Sequence, residues 1–328
     1  MNPSKVRDED YIKYLIASYK GFTCTEVARC LPQHNGQIAH DSVNRLLERQ
    51  SHHTETLYQS VKPFIDLRNG FLVLDDTTLD KIYSKEIELV TRHWSGKHHE
   101  FVQGINIISL LWTDGNSMIP VDFRAYDCSN DGLTKNDHFI DMIDTAHKRG
   151  FQPEYVLFDS WYGSIKNLKK IASFNWKWLT QLKVNRLVNP DNVKNVPVST
   201  LNIPPEGLRV HLRQYGFIKI FKFEVEGKEI EYWATNDENL GEIEFLRIKK
   251  HGWKIEEYHR GLKQCCGVEN CQARRKNIQL GHIFLSIRAF LCFEGQRLST
   301  GISWYETKKS ITRDAIRYFI HSPSIFIS

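Results

Sequence analysis

No apolar run in this 328-residue chain approaches the roughly 20 residues that a helix needs to cross a bilayer, so a membrane-spanning protein is not expected. The opening Met1-Asn2-Pro3-Ser4-Lys5 lacks the apolar core of a signal peptide, and a cytosolic protein is expected. The seven cysteines are an odd number without extracellular context, which argues against a disulfide framework. Cys265, Cys266 and Cys271, with His259 and His282 nearby, lack the CxxC spacing of a zinc site and read as reduced helix-face cysteines. Internal repeats and low-complexity tracts are absent as well. Charge of one sign is scarce overall, since the net charge is only +5. It is unevenly spread, however. Residues 241–313 hold 14 Lys/Arg against 7 Asp/Glu, the local excess that a phosphate-facing surface needs.

What is present has the bulk properties of a globular chain, with 41% hydrophobic and 25% charged residues. The first stretch reads as helices. Tyr11, Ile12, Leu15, Ile16 and Tyr19 have helical spacing, and Thr23-Cys24-Thr25-Glu26 is a capping-box pattern with Val27, Ala28 and Leu31 inward. Pro32 to Ala39 is a polar loop, followed by a helix over about 41–49 with Val43, Leu46 and Leu47 inward. Three short helices resemble a helix-turn-helix module, with Ser42, Asn44 and Arg45 available to read DNA. The bland alternative is a helical cap on the next domain. The loop is longer than the usual tight turn.

After a connecting helix interrupted at Pro63, the pattern changes. Phe71-Leu72-Val73-Leu74 is a short apolar strand running into Asp75-Asp76-Thr77-Thr78. Strands over 101–112 and 118–126 complete an antiparallel meander. A helix over 136–149 ends at Gly150, and Tyr155-Val156-Leu157-Phe158 is a strand ending at Asp159. A helix over 165–172 and a strand over 176–184 follow. Residues 185–236 are strand-rich, with a hairpin turn at Glu226-Gly227, and helices resume over 240–265 and 278–298.

That order of elements is the order of a ribonuclease H-like core, a mixed five-stranded sheet with flanking helices. It places Asp76, Asp159 and Glu256 at two neighbouring strand ends and on a later helix. Magnesium takes hard oxygen ligands. Two such ions roughly 4 Å apart can clamp the attacking and leaving oxygens of an in-line phosphoryl transfer. Two Mg2+ ions are therefore expected, with Mn2+ able to substitute. Taken singly, each acid has a plainer reading: a turn residue for the aspartates, solvated helix charge for Glu256.

Leu74-Asp75-Asp76-Thr77-Thr78, Asp159-Ser160-Trp161-Tyr162-Gly163 and Trp253-Lys254-Ile255-Glu256-Glu257-Tyr258-His259-Arg260-Gly261-Leu262-Lys263 together resemble the DDE transposases of bacterial insertion sequences. The insertion-sequence-4 superfamily, with a β-rich insertion before the glutamate helix, is most similar. The resemblance runs over about 70–273. It implies an α/β fold in consecutive segments: a DNA-binding domain over 1–66, a catalytic domain over 67–265 with its insertion at 185–236, and a basic helical region over 266–328.

By the same match Asp76, Asp159 and Glu256 are the catalytic acids and metal ligands, with Asp75 as a neighbour. Lys263 is the family lysine that meets DNA phosphate. Two positions depart from the pattern: Lys249 and Gly252 stand where the family has tyrosine and arginine. Lys249 can still meet phosphate, and Arg260 can substitute for the arginine in part. The implied function is cutting element ends and joining them to target DNA. The implied partners are terminal inverted repeats, target DNA and a second copy in the DNA complex, near the bacterial nucleoid. An inactive DNA-binding descendant and a stand-alone nuclease of the same fold are the alternatives. His93, His98 and His99, with Trp94 and Lys97, read as an exposed polar loop, and the tryptophans as core residues.

Overall fold

The computed structural model describes residues 5–20, 23–32, 38–50, 54–95 and 100–323. Lys97, His98, His99 and the Trp94 side chain lie outside the described residues, as do 33–37 of the expected loop and the chain end from 324. The chain divides into two compact units. One is built from Met1–Ser60, Thr77–Ile107 and Tyr258–Ser328, the other from Val61–Asp76 and Ile108–Glu257. These units cut across the consecutive segments read from the sequence.

In chain order the elements begin with helices α1 (Asp8–Ala17), α2 (Cys24–Cys30), α3 (His40–Arg49) and α4 (Thr54–Val61). Strands β1 (Phe71–Asp80), β2 (Thr91–Ser95), β3 (Glu100–Thr113) and β4 (Ile119–Ala125) follow. Then come α5 (Cys128–Asp131), α6 (Lys135–Lys148), β5 (Tyr155–Phe158), α7 (Ile165–Ala172) and β6 (Trp178–Leu182). The strand-rich stretch holds β7 (Leu187–Val188), β8 (Val196–Pro197), β9 (Leu208–Leu212), β10 (Gly216–Phe223) and β11 (Glu231–Thr235). Four helices close the chain: α8 (Glu242–Gly252), α9 (Lys254–Cys266), α10 (Lys276–Thr300) and α11 (Trp304–His321).

In the unit holding Val61–Asp76 and Ile108–Glu257, the sheet runs β3-β1-β5-β6-β11-β10-β9, with β4 paired to β3. Its first five strands, β4-β3-β1-β5-β6, are the ribonuclease H-like core. The apolar run Phe71–Leu74 is fully buried, as a central strand covered on both faces requires. It pairs in parallel with β5, from Phe71 beside Tyr155 to Leu74 beside Phe158. The sheet is wider than the five strands expected. β11 pairs antiparallel with β6, so the insertion covers what would otherwise be an open strand edge. The α6 helix opens on a full capping box between Thr134 and Asp137, and Gly150 beyond its end takes φ +88°.

In the other unit, α1, α2 and α3 bury Tyr11, Leu15, Val27, Val43, Leu46 and Leu47 against one another and against α10. Thr23 Oγ1 accepts the Glu26 amide as the capping pattern predicts, whereas Tyr19, expected inward, is exposed. The region read as a polar loop around His93 is instead strand β2, paired antiparallel with β3, and His93 is buried. Its Nε2 bonds Thr91 Oγ1, which satisfies the ring where charge periodicity gave no warning.

Two buried polar side chains tie this unit together. Lys308 of α11 donates to the carbonyls of Leu15 (3.1 Å), Ser18 (2.7 Å) and Cys265 (2.6 Å), so one ammonium meets the carboxyl ends of α1 and α9. His282 of α10 is fully buried. Its Nδ1 accepts from Tyr11 Oη (2.9 Å) and its Nε2 donates to the Gly267 carbonyl (3.1 Å). Burial, and then the Lys81 charge, lower its pKa to about 3.

The unfolded chain takes up this proton near pH 6.5, well before the folded one does. Stability is therefore complete above that pH and drains away as pH falls toward 3, at up to about 1.4 kcal/mol per unit from this one ring. Urea denaturation at stepped pH should show a steeper acid loss for wild type than for His282→Gln. Equal slopes between pH 6.5 and 4 would show that the ring is charged in the folded chain.

Candidate active site

The acidic site forms where β1 and β5 end. In parallel strands, residues at the same register point to the same face, and successive residues along a strand alternate. The pairing ends at Leu74 and Phe158, one residue before Asp75 and Asp159, and alternation along β1 turns Asp75 and Asp76 to opposite faces. Asp75, Asp159 and Glu256 line one cavity of about 440 Å3, walled by Val73, Leu157, Phe223 and Trp233. Asp76 does not line it. Its carboxylate accepts from Lys135 Nζ at 2.7 Å and from Tyr162 Oη at 2.7 Å.

Each acid is held locally. Asp159 Oδ1 accepts the amides of Trp161 (3.0 Å) and Tyr162 (3.4 Å), an Asx turn that fixes one oxygen. Glu256 lies in the first turn of α9, where the helix dipole favours an acid. The helical stretch read over 240–265 is two helices, interrupted at Trp253, and this break starts the Glu256 turn afresh. Between the two adjacent glutamates the structure separates roles. Glu257 pairs with Lys254 Nζ at 2.9 Å, while Glu256 is exposed in the cavity lining.

The electrostatics follow from this crowding. Burial raises the pKa of Asp75 well above the ordinary carboxylate range, and the charges of Asp76, Asp159 and Glu256 push it further. Asp159 is raised by burial and by Asp76, while the Trp161 and Tyr162 amides pull it back. Burial and Asp76 likewise drive the Tyr162 phenol far above its usual value, so it stays a donor. Like charges gathered this way are costly without a compensating cation. The donors are hard carboxylate oxygens, the set that suits a divalent cation such as Mg2+ or Mn2+. Among the described residues no three ligating side chains surround a single point. Magnesium usually draws only one or two carboxylates from a protein and the remainder from water and phosphate, so the donor set fits.

The other expected contacts are scattered. Lys249 lines the acidic cavity, but its Nζ pairs with Glu231 at 2.8 Å and lies 3.4 Å from the Phe223 ring centre. Gly252 lines the same cavity, and a Cβ there would meet nothing within 4 Å. Lys263 is engaged within its own unit, by the Thr78 carbonyl at 2.6 Å and Glu269 at 3.1 Å. Arg260 is exposed on α9. On α3, Arg45 is exposed, Ser42 is half-buried, and Asn44 accepts from Cys24 Sγ at 2.9 Å. Trp161, expected in the core, is 58% exposed, whereas Trp176 and Trp178 are buried.

Lys135 and the Tyr162 hydroxyl, both donors to Asp76, have no role in the sequence reading. Tyr162 had a readable signal, since it lies three residues after Asp159 in a turn that its own amide helps to close. Lys135 had none that distinguished it among 44 basic residues.

A model of the transposase DDE domain matches residues 68–292, a span that contains every acid of this cavity. The chain belongs to that family. DDE transposases are metal-dependent enzymes of DNA cleavage and strand transfer, and they use divalent ions. The piggyBac transposase synaptic complex with hairpin DNA is similar in fold, at TM-score 0.50 and 13% identity over 99% of this chain and 76% of that one. The Mos1 strand transfer complex aligns over 54% of this chain and 58% of its own at TM-score 0.21 and 13% identity, too weakly to bear on the DDE domain here. Among curated protein sequences, none matches. No helix among the described residues is long and apolar enough to cross a membrane.

Proposed function

We propose that this DDE enzyme is the transposase of a bacterial insertion sequence, similar to the insertion-sequence-4 superfamily, and that Asp159, Glu256 and the aspartate pair after β1 run its chemistry. The observation that carries the reading is the shared cavity of Asp75, Asp159 and Glu256 at the ends of two parallel strands and the start of a helix. Of the pair, Asp75 is the cavity-facing acid. Asp76, the first acid in the sequence reading, orients Lys135 and Tyr162 beside it. Two divalent ions held there by Asp75, Asp159 and Glu256 would neutralise phosphate charge and acidify the attacking water.

In the first step a water oxygen bonds to phosphorus while the bond to the 3′ oxygen breaks, leaving a 3′ hydroxyl and a 5′ phosphate. In the second, that hydroxyl attacks a target phosphodiester and releases a target 3′ hydroxyl. The protein's own part is orientation. The Asp159 turn fixes one carboxylate oxygen, and Lys135 offers a cation beside the reacting phosphate. Arg260, Lys249 and Lys263 add positive charge on α8 and α9, and the outer face of α3, led by Arg45 with Ser42 and Asn44, reads the terminal inverted repeats. Paired ends call for two copies of the chain on the DNA.

Purified protein with Mg2+ or Mn2+ should nick duplex DNA that carries the element's terminal inverted repeats, and chelation should stop it. Asp159→Ala should leave binding intact and reduce nicking by about a thousandfold, roughly 4 kcal/mol in the barrier. Full activity in that variant would remove the carboxylate assignment. Tight binding without any nicking by the wild type would favour an inactive descendant, for which the Lys249 and Gly252 departures leave room. Nicking without joining would favour a plain nuclease.

A further inference from the structure

A groove beside the acidic site has a different character. It encloses about 700 Å3, within the range of about 300–1,000 Å3 common for ligand sites. It begins at Ser160 and Trp161, immediately after Asp159, and continues along the residues that follow β6 and the β9–β10 turn. Three cations line it, Lys183, Arg186 and Arg213, and no acid does. None of the three has an ion-pair partner among the described residues. Arg186 is the telling one, because it is half-buried and burial alone lowers its pKa. A guanidinium withdrawn from water without a carboxylate is costly unless an anion from outside completes it.

One wall is aromatic. The Trp161 ring is 58% exposed, an unusual state for a residue that normally hides its surface. Lys183 Nζ lies 5.6 Å from its ring centre, and Lys135 Nζ, the partner of Asp76, lies 6.0 Å from it. Gln181, Asn185 and Gln214 add amide donors and acceptors. A flat ring, unpaired cations and scattered amides are the means by which proteins hold a single nucleic-acid strand, stacking bases and neutralising phosphates. A paired base could not reach the ring face, because its own faces are already stacked within the duplex.

We propose that this groove binds an unpaired stretch of DNA strand next to the scissile phosphate, with a base stacked on Trp161 and its phosphates on Arg186, Lys183 and Arg213. The inference rests on the transposase reading for the identity of the strand, but its test does not require cleavage.

The full chain is titrated in chelator with a labelled twelve-residue oligothymidylate and, separately, with a blunt duplex of arbitrary sequence. Trp161→Ala should weaken oligothymidylate binding by about tenfold or more, in line with the usual worth of one stacked base, and Trp161→Phe should restore most of it. The blunt duplex should be nearly indifferent to both. Arg186→Gln should reduce the salt slope for the single strand by about 0.7, one phosphate contact. Unchanged single-strand affinity in Trp161→Ala would overturn the proposal, and so would an equal loss on the duplex. A Trp161→Ala chain that fails to fold is replaced by Trp161→Leu, which has no ring to stack on, where an unchanged affinity together with an unchanged Arg186→Gln slope also overturns it. If the wild type never nicks element ends yet shows the Trp161-dependent preference, the transposase reading falls and the groove stands. If it nicks while Trp161→Ala binds the single strand normally, only the groove falls.

Discussion

Asp75→Asn should abolish metal-dependent nicking, by about a thousandfold or more, whereas Asp76→Asn should slow it by roughly ten- to a hundredfold. The difference comes from strand geometry. Adjacent residues on β1 face opposite ways, and Asp75, not Asp76, lines the cavity that Asp159 and Glu256 also line. Asparagine at position 75 removes an anionic oxygen from the cavity that the cation must fill. At position 76 it keeps an acceptor for Tyr162 and loses the charge that holds Lys135, an effect on the surroundings of the site. Folding is not expected to suffer at either position. Removing the raised Asp75 carboxylate relieves repulsion from three neighbours, so Asp75→Asn should be at least as stable as wild type without metal. Nicking rates in Mn2+ and thermal unfolding in chelator measure both halves. The reverse ranking, with Asp76→Asn the dead enzyme, would return the first acid to Asp76.

Gly281→Ala should destabilise the unit containing α3 and α10 severely, by about 3 kcal/mol or more, and Gly281→Val should prevent its folding. Two effects compete here. Alanine inside a helix ordinarily gains about 1 kcal/mol over glycine through helix propensity. Against that, a Cβ at Gly281 would overlap the carbonyl oxygen and carbon of Leu47, at the end of α3. Backbone atoms cannot rotate away as a side-chain tip would, so the two helices must separate along a contact that buries Val43, Leu46 and Leu47. The steric cost exceeds the propensity gain. Urea titration followed by near-ultraviolet circular dichroism reads the outcome, and an alanine variant more stable than wild type would mean that the helices do not approach so closely.

Much of the core was legible because its signals are local. The apolar run Phe71–Leu74, the strand before Asp159, α7 and the Glu226-Gly227 turn each announce themselves within a few residues. Their order was enough to bring the right ends together. What escaped depends on distant partners. Whether Asp75 or Asp76 faces the cavity is decided by pairing with residues some 80 positions away. The exposure of Trp161 is set by where its turn lies, and residue type argued for the opposite. Strand β2 hid behind a histidine. The unit built from both chain ends was also invisible, since no spacing rule reports that α1 packs on α10 and α11.

That last arrangement carries a consequence for synthesis. Tyr11, Ile12 and Leu15 leave the ribosome early, yet α10, which covers them, begins only at Lys276, and the Lys308 ammonium that caps α1 follows 293 residues after Leu15. At roughly 5–20 residues per second, the N-terminal helices wait some tens of seconds for their partners. A ribosome-stalled chain ending before α10 should therefore be protease-sensitive over 8–49, and one extended past α11 should be protected there. Protection in the shorter chain would mean that α1, α2 and α3 hold together alone. On this arrangement an interrupted translation product cannot order the helices proposed to read DNA.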